Sequence, residues 1–350
     1  MKIALLQEGD TTGTTPQERY HQIIEEVALA DQLGFSAWGT SEQHFYGPLW
    51  NVPAPDVLYA AIAMRTERIT LRAMSVVLLT WNHPLQIAER YGALDLVSKG
   101  RVELCFARSN NKATMAIYHI DPANTKEIFN ENLGVLEKLF TNPNLEEGHE
   151  GKYWQIPPVA VTPGFYNERF PSISVAATGL PSHEQTAQSG YGVISFDNWF
   201  GFEYLDQCLE TYGKGWESRD TSKPNPNKYF GIYVATAYCA PTLKEAIDVA
   251  DDQAVWYFEE AARIYKVLAE NPGYEYMSTI QELLSVENKP EWLRKSTASV
   301  MIGTPDDYIQ RLKLLESKGV DEVVLRIDGF GHDKIMKTIE LIGKEVIPHV

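Results

Sequence analysis

Apolar residues along this chain change their period at regular intervals. Short runs rich in Val, Ile and aromatic residues give way repeatedly to stretches in which apolar positions recur every three to four residues. The first pattern is that of a buried strand, the second that of an amphipathic helix. Eight runs read as strands: Lys2–Gln7, Ala37–Ser41, Thr70–Leu78, Val102–Ala107, Ser172–Ala176, Gly192–Phe196, Tyr229–Ala237 and Glu322–Ile327. Helical periods fit Gln17–Leu33, Pro55–Arg65, Pro84–Val97, Thr125–Phe140, Phe202–Tyr212 and Leu243–Val267. The first helix places Ile23, Ile24, Val27, Ala30 and Leu33 on one stripe and ends at Gly34, a natural C′ residue. Near the other end, Thr304-Pro305-Asp306-Asp307 reads as an N-cap, a first-turn proline and a capping-box acid, and the helix it opens closes at Gly319.

Strands alternating with helices predict a parallel sheet with right-handed crossovers. Eight such units predict a closed (β/α)₈ TIM barrel in preference to an open doubly wound sheet. No GxGxxG follows the first strand, and no Walker A loop, GxSxG elbow or HExxH occurs. Two insertions interrupt the alternation, around 142–171 and 271–295; the first reads as a hairpin or covering loop, the second as a lid over the barrel mouth. No low-complexity linker divides the chain, so residues 1–350 read as one barrel domain. The helix Asp56–Met64 is apolar nearly all round, which calls for a second covering surface: a dimer interface, or the protein's own insertions.

Composition narrows the function classes. A formal net charge of −16 without a Lys/Arg run disfavours nucleic-acid backbones as partners. Cys105, Cys208 and Cys239 are scattered and form no CxxC, as expected of buried thiols in a reducing compartment. No signal-peptide pattern or apolar run of about 20 residues is present, so the expectation is a soluble cytoplasmic protein without a membrane partner. The eight histidines show no metal-ligand spacing.

In a (β/α)₈ barrel the chemistry lies just past the C-terminal ends of the strands. That rule selects Glu42, Gln43 and His44 after strand two, and Met74, Ser75 and Trp81-Asn82-His83 within and after strand three. It adds Arg108, Ser109 and Asn110 after strand four, Ala177, Thr178 and Gly179 after strand five, Ser195 on strand six, and Asp197, Asn198 and Trp199 beyond it. Arg108 with Thr178 and Gly179 makes a reasonable phosphate site, a charged fork joined by a hydroxyl and open backbone N–H groups; a barrel-rim salt bridge is the plain alternative. His44 beside Glu42 could hold or release a proton near neutral pH, although strand-end histidines are often merely structural. Trp81, Phe196, Trp199, Phe200, Phe202 and Tyr204 cluster near strand ends three and six and suggest an apolar pocket.

Ser41-Glu42-Gln43-His44-Phe45 resembles a segment of the luciferase-like flavin monooxygenases, and the resemblance continues in order. Val76-Val77-Leu78, His83-Pro84 with Gln86-Ile87-Ala88-Glu89, the specific run Leu94-Asp95-Leu96-Val97-Ser98-Lys99-Gly100-Arg101, Trp256-Tyr257 and Gly303-Thr304-Pro305 all match. The resemblance implies a barrel that binds reduced FMN (FMNH₂), delivered by a separate flavin reductase. It further implies activation of O₂ through a flavin C4a-peroxide and insertion of one oxygen atom into a small organic substrate. By position, Arg108 falls on a phosphate-binding arginine, and Thr178, followed by Gly179, on a phosphate-contacting serine. Met74-Ser75 falls on a non-prolyl cis peptide against the isoalloxazine, and Trp256 on an aromatic residue near the flavin pocket. Glu42, Ser109, Asn110, Ala177 and Ser195 complete the implied cofactor site.

Some positions depart from the family. Gln43 replaces a histidine, Ala107 a cysteine and Thr114 an aspartate, while Lys126 lies near the place of a helical arginine. Gln43 cannot take a proton at pH 7, so the general base of the aldehyde-oxidising, light-emitting reaction is missing. His44 is then the expected proton-handling residue, with Gln43 as its hydrogen-bonding partner. Two other readings are a non-catalytic flavin-binding or partner subunit of a heterodimeric enzyme, and an F420-dependent dehydrogenase on a related barrel.

Overall fold

The computed structural model describes residues 1–350 except Asp197, Gly273 and the side chain of Tyr276. Eight strands form one closed parallel barrel: β1 Lys2–Leu6, β2 Ala37–Ser41, β3 Thr70–Val77, β4 Val102–Ala107, β5 Ser172–Ala177, β6 Gly192–Ser195, β7 Phe230–Val234 and β8 Glu322–Arg326. Each pairs with its sequence neighbours, and β8 closes on β1 with Lys2 opposite Glu322 and Leu6 opposite Arg326. Parallel strands are covered on both faces, so β2, β7 and β8 are buried at every position.

Twelve α-helices follow the strands or fill the insertions among the described residues: α1 Pro16–Leu33, α2 Pro55–Ala63, α3 Pro84–Ser98, α4 Lys112–Ile117, α5 Thr125–Thr141, α6 Leu180–Gln188, α7 Phe202–Glu217, α8 Leu243–Ala269, α9 Ile280–Leu283, α10 Lys289–Ser296, α11 Pro305–Lys318 and α12 His332–Leu341. The punctuation read from sequence is realised. Thr15 and Glu18 form a capping box on α1, which ends at Gly34 with φ 89°; Thr304 and Asp307 do the same for α11, which ends at Gly319 with φ 102°. Such caps contribute about 1 kcal/mol each. Helix α6 went unread because its sequence, LPSHEQTAQ, carries only three buried residues and hardly any apolar stripe.

The family-specific run between α3 and β4 is a structural clamp. Asp95 is fully buried and accepts hydrogen bonds from the backbone N–H of Val102 and Tyr166 (both 3.0 Å) and from Arg169, tying the first insertion to the barrel. Arg101 donates to the carbonyls of Ala63, Thr66 and Ile69 at 2.9–3.1 Å, closing the end of α2 onto the start of β3.

Three details differ from the sequence reading. The run Tyr229–Ala237 splits: the chain leaves the barrel after Val234, and Thr236–Cys239 pairs instead with Val300–Gly303 in a separate parallel ribbon. The 142–171 insertion forms one short antiparallel hairpin, His149–Glu150 with Gln155–Ile156, nested inside the pair Asn144–Leu145 and Val159–Ala160; Glu131 holds the inner turn by accepting from the N–H groups of Lys152, Tyr153 and Trp154. The Met74–Ser75 peptide is not cis; the only cis peptides among the described residues precede Pro48 and Pro163. The irregularity takes another form there, a bulge between Ala73 and Val76 with Ser75 at φ 54°. A bulge shifts a side chain's aim without the cost of a cis bond at a non-proline residue.

Candidate active site

One cavity of about 510 Å³ opens at the C-terminal ends of the strands, within the size range of small-molecule sites. Its walls differ in character.

The first wall is cationic and rich in hydroxyls. Arg108, Ser109 and Asn110 follow β4; Lys126 comes from α5; Thr178, Ser182 and Gln185 come from the start of α6 and its loop. The Arg108 guanidinium packs 5.0 Å from the Tyr274 ring centroid. Neither Arg108 nor Lys126 has a carboxylate within ion-pairing distance among the described residues, unusual in so acidic a chain. Ser109 adopts φ 68°, a left-handed conformation that a non-glycine residue holds only when its surroundings impose it.

The loop behind this wall is held by a fully buried histidine. His183 approaches the Gly179 carbonyl with Nδ1 (2.9 Å) and the Ser195 hydroxyl with Nε2 (3.0 Å). Burial pushes its pKa down to about 4, so the ring is neutral. The neutral ring donates from Nδ1 to Gly179 and accepts at Nε2 from Ser195. Gly179, at φ 73°, caps the N-terminus of α6, whose free N–H groups and dipole favour an anion.

The opposite wall is built on Glu8, just past β1, with Ser41, Trp50, Tyr233 and Tyr257 around it. The Glu8 carboxyl accepts from Ser41 Oγ (2.9 Å), Trp50 Nε1 (2.9 Å), Arg326 Nε (3.0 Å) and Tyr257 Oη (3.3 Å). Burial raises its pKa, although Arg326 and Ser41 pull the other way. A third wall carries Glu42 and Gln43. Glu42 accepts from Asn82 Nδ2 (2.7 Å) and Trp81 Nε1 (2.8 Å) and lies 2.9 Å from His44 Nε2. Phe129, Leu133, Val175, Phe196 and Trp199 supply apolar surface, and Tyr274 and Met277 of the second insertion form the roof.

The strand-end rule thus brings Glu42, Gln43, Ser75, Arg108, Ser109, Asn110 and Thr178 to one cavity. It misplaces others. Met74, Ala177 and Ser195 lie behind the wall, because alternate strand residues face away from the mouth, and Gly179 lies behind it as the N-cap of α6. His44 sits behind Glu42 among the rings of Phe45, Trp81 and Tyr118 and does not border the cavity. Trp256 is 39% exposed on the outer face of α8, and Tyr257 faces inward in its place. The inward stripe of α8, Ala246, Ala250, Ala254, Tyr257 and Tyr265, already showed that phase at helical spacing. Asp197 lies outside the described residues. Glu8 was missed even though it is the first charged residue after β1.

A parallel eight-stranded barrel with one polar and aromatic cavity at its mouth defines a barrel enzyme. The chain belongs to the luciferase-like monooxygenase family, whose profile matches residues 1–322. It is accordingly an oxidoreductase of the flavin-dependent monooxygenase class. It is 25% identical to the oxygenase component of a flavin-dependent trigonelline monooxygenase from Acinetobacter baylyi, over 95% of this chain and 91% of that protein. It is 24% identical to an alkanal monooxygenase beta chain from Photorhabdus luminescens, over 85% of this chain and 87% of that one. Among solved structures it resembles the oxygenating constituent of 3,6-diketocamphane monooxygenase from Pseudomonas putida, determined in complex with FMN, with a TM-score of 0.78, 22% identity and coverage of 100% and 99% of the two chains. At that identity the likeness is one of fold. No described helix is long and apolar enough to cross a membrane.

Proposed function

We propose that the protein is the oxygenase component of a two-component system, using reduced FMN supplied by a separate reductase to insert one oxygen atom of O₂ into a small organic substrate. The observation that carries this reading is the pair of cations, Arg108 and Lys126, that face an otherwise aromatic and acidic cavity with no carboxylate partner among the described residues. A phosphate monoester satisfies them: Arg108 offers a fork of N–H donors, Lys126 a point charge, Ser109 and Thr178 hydroxyls, and α6 its N-terminus. Phe129, Leu133 and Val175 offer the apolar surface a flat ring system needs. The residues present therefore fit FMN.

Reduced flavin, when bound, supplies the electrons that activate O₂. The chain's own residues do the rest. Trp199 and Phe196 shape an apolar place for the substrate, Tyr274 and Met277 keep water from the mouth, and the Glu42 hub holds Gln43 at the cavity wall.

The likeness to an alkanal monooxygenase beta chain favours a second reading, a partner subunit that acts only with another polypeptide. The exposed apolar side chains of α2 and α3, Val57 (65%), Met64 (74%), Leu96 (43%) and Val97 (47%), support a dimer in either case, with a second copy or with a different subunit.

Anaerobic titration with reduced FMN, followed by mixing with oxygenated buffer, tests the proposal. Tight binding and a delay before oxidised flavin appears would support an oxygenase. Tight binding with immediate reoxidation would favour the partner-subunit reading. Failure to bind FMN while binding F420 would overturn both in favour of a dehydrogenase.

A further inference from the structure

We propose that Glu8 is the proton-handling residue of the cavity, with the hydroxyls of Ser41, Tyr257 and Tyr233 as its links to whatever reacts there. The inference rests on the oxygenase reading and assigns a role that His44 is badly placed to fill.

The geometry separates the two carboxylates of the cavity. Glu42 borders the cavity, but its carboxyl is tied to Trp81, Asn82 and His44, none of which does, so no hydroxyl links it to the space where a substrate would sit. Every hydroxyl beside Glu8, by contrast, belongs to a residue that lines the cavity. Its two oxygens are unequally loaded. Among the described residues, Oε2 accepts from Trp50, Arg326 and Tyr257, whereas Oε1 accepts from Ser41 alone. A hydroxyl both donates and accepts, so Ser41 can turn to receive a proton from Oε1 without breaking the contacts at Oε2. Tyr257 extends the set to Tyr233, with 2.9 Å between the two oxygens.

The charges facing Glu8 come from several elements. Arg326 on β8 approaches to 3.0 Å and also lies 3.6 Å from Asp10, which follows β1; Asp328, beyond β8, accepts the Glu8 backbone N–H. Burial is the largest influence and raises the Glu8 pKa; Arg326 and Ser41 pull it down, and Asp328, itself paired with Arg19 of α1 at 2.9 Å beside Glu26, pushes it up. Both phenols are pushed up as well, chiefly by burial, and so act as neutral hydroxyls.

Oxygenation gives oxygenated substrate, water and oxidised flavin from substrate, O₂ and reduced flavin. A proton must therefore reach the oxygen that leaves as water. It passes from Oε1 to the Ser41 hydroxyl as Ser41 gives up its own proton, or directly from the carboxyl. The carboxylate left behind is held by Arg326, Trp50 and Tyr257. It is reprotonated from the two hydrogens that reduced flavin brings to the overall balance.

The test uses the full-length protein with FMN and the variants Glu8→Gln, Ser41→Ala and Tyr257→Phe. FMN affinity, read by fluorescence quenching, comes first and judges the oxygenase reading separately. Infrared spectra at neutral pH should show the carbonyl band of a protonated acid in the wild type and lose it in Glu8→Gln. Reoxidation of bound reduced FMN by O₂, which yields peroxide when no substrate is present, should slow roughly 10²-fold in Glu8→Gln and lose its pH dependence. Should Glu8→Gln fail to fold because its amide nitrogen cannot accept the donors that the carboxyl takes, Ser41→Ala removes the relay and leaves the carboxyl in place; it should shift the same pH profile. A wild type without the protonated-acid band, or an unaltered pH profile in folded, FMN-binding variants, would overturn the assignment.

Discussion

Replacing Arg108 by Ala isolates the proposed phosphate end of the cavity, because among the described residues the guanidinium has no carboxylate partner and touches the rest of the protein chiefly through the Tyr274 ring. No buried acid is orphaned by the change, so the fold should survive; the lost cation–π contact is worth about 0.5–1 kcal/mol. Against FMN the loss is larger. A charge-assisted hydrogen bond contributes about 1.5–3 kcal/mol, which predicts Kd for FMN rising roughly 10- to 150-fold. Riboflavin, which lacks the phosphate, provides the control: its affinity should be the same in wild type and Arg108→Ala. Fluorescence titration of both ligands against both proteins closes a double-mutant cycle. Its coupling term reports the arginine–phosphate contact free of any general loosening of the cavity. Equal losses for FMN and riboflavin would refute the placement of the phosphate at Arg108, and unchanged affinity for both would refute the cavity as the flavin site.

Three further outcomes follow from the same geometry. His183 has a folded pKa of about 4 against an ordinary 6.5, so the unfolded chain binds the extra proton first. Its contribution is complete above about pH 6.5 and is lost as the pH falls toward 4, on the order of 3 kcal/mol; urea melts at stepped pH should show that slope flattened in His183→Gln. Arg101→Ala leaves the carbonyls of Ala63, Thr66 and Ile69 without their donor and should cost roughly 2–4 kcal/mol in the same melts, with FMN affinity unchanged. Met64→Asp places a charge on the apolar face of α2; light scattering should show wild-type dimers and mutant monomers with little change in Tm, and a monomeric wild type would discard that interface.

How much was legible depended on which physical constraint each residue obeys. The eight barrel strands were readable because burial on both faces forces continuous apolar runs, and α1 and α11 because their caps need particular residues at particular spacings. The splitting of Tyr229–Ala237 was not, since leaving the barrel at Ala235 is a matter of which partner strand is free, and Val300–Gly303 is only four residues long. The site shows the same division. Position past a strand end is a one-dimensional property, and it found Arg108, Thr178 and Glu42. Facing inward or outward is a question of phase, and there the alternation of a strand put Ser195 behind the wall, while one residue of helical rotation exchanged Trp256 for Tyr257. The motifs that carry the family resemblance proved to be of two kinds. Asp95 and Arg101 hold the α3–β4 clamp and lie away from the cavity. Glu8 lies in no motif, and only the closure of β8 against β1, which brings Arg326 to its carboxyl, places an acid two residues past the first strand on the cavity wall.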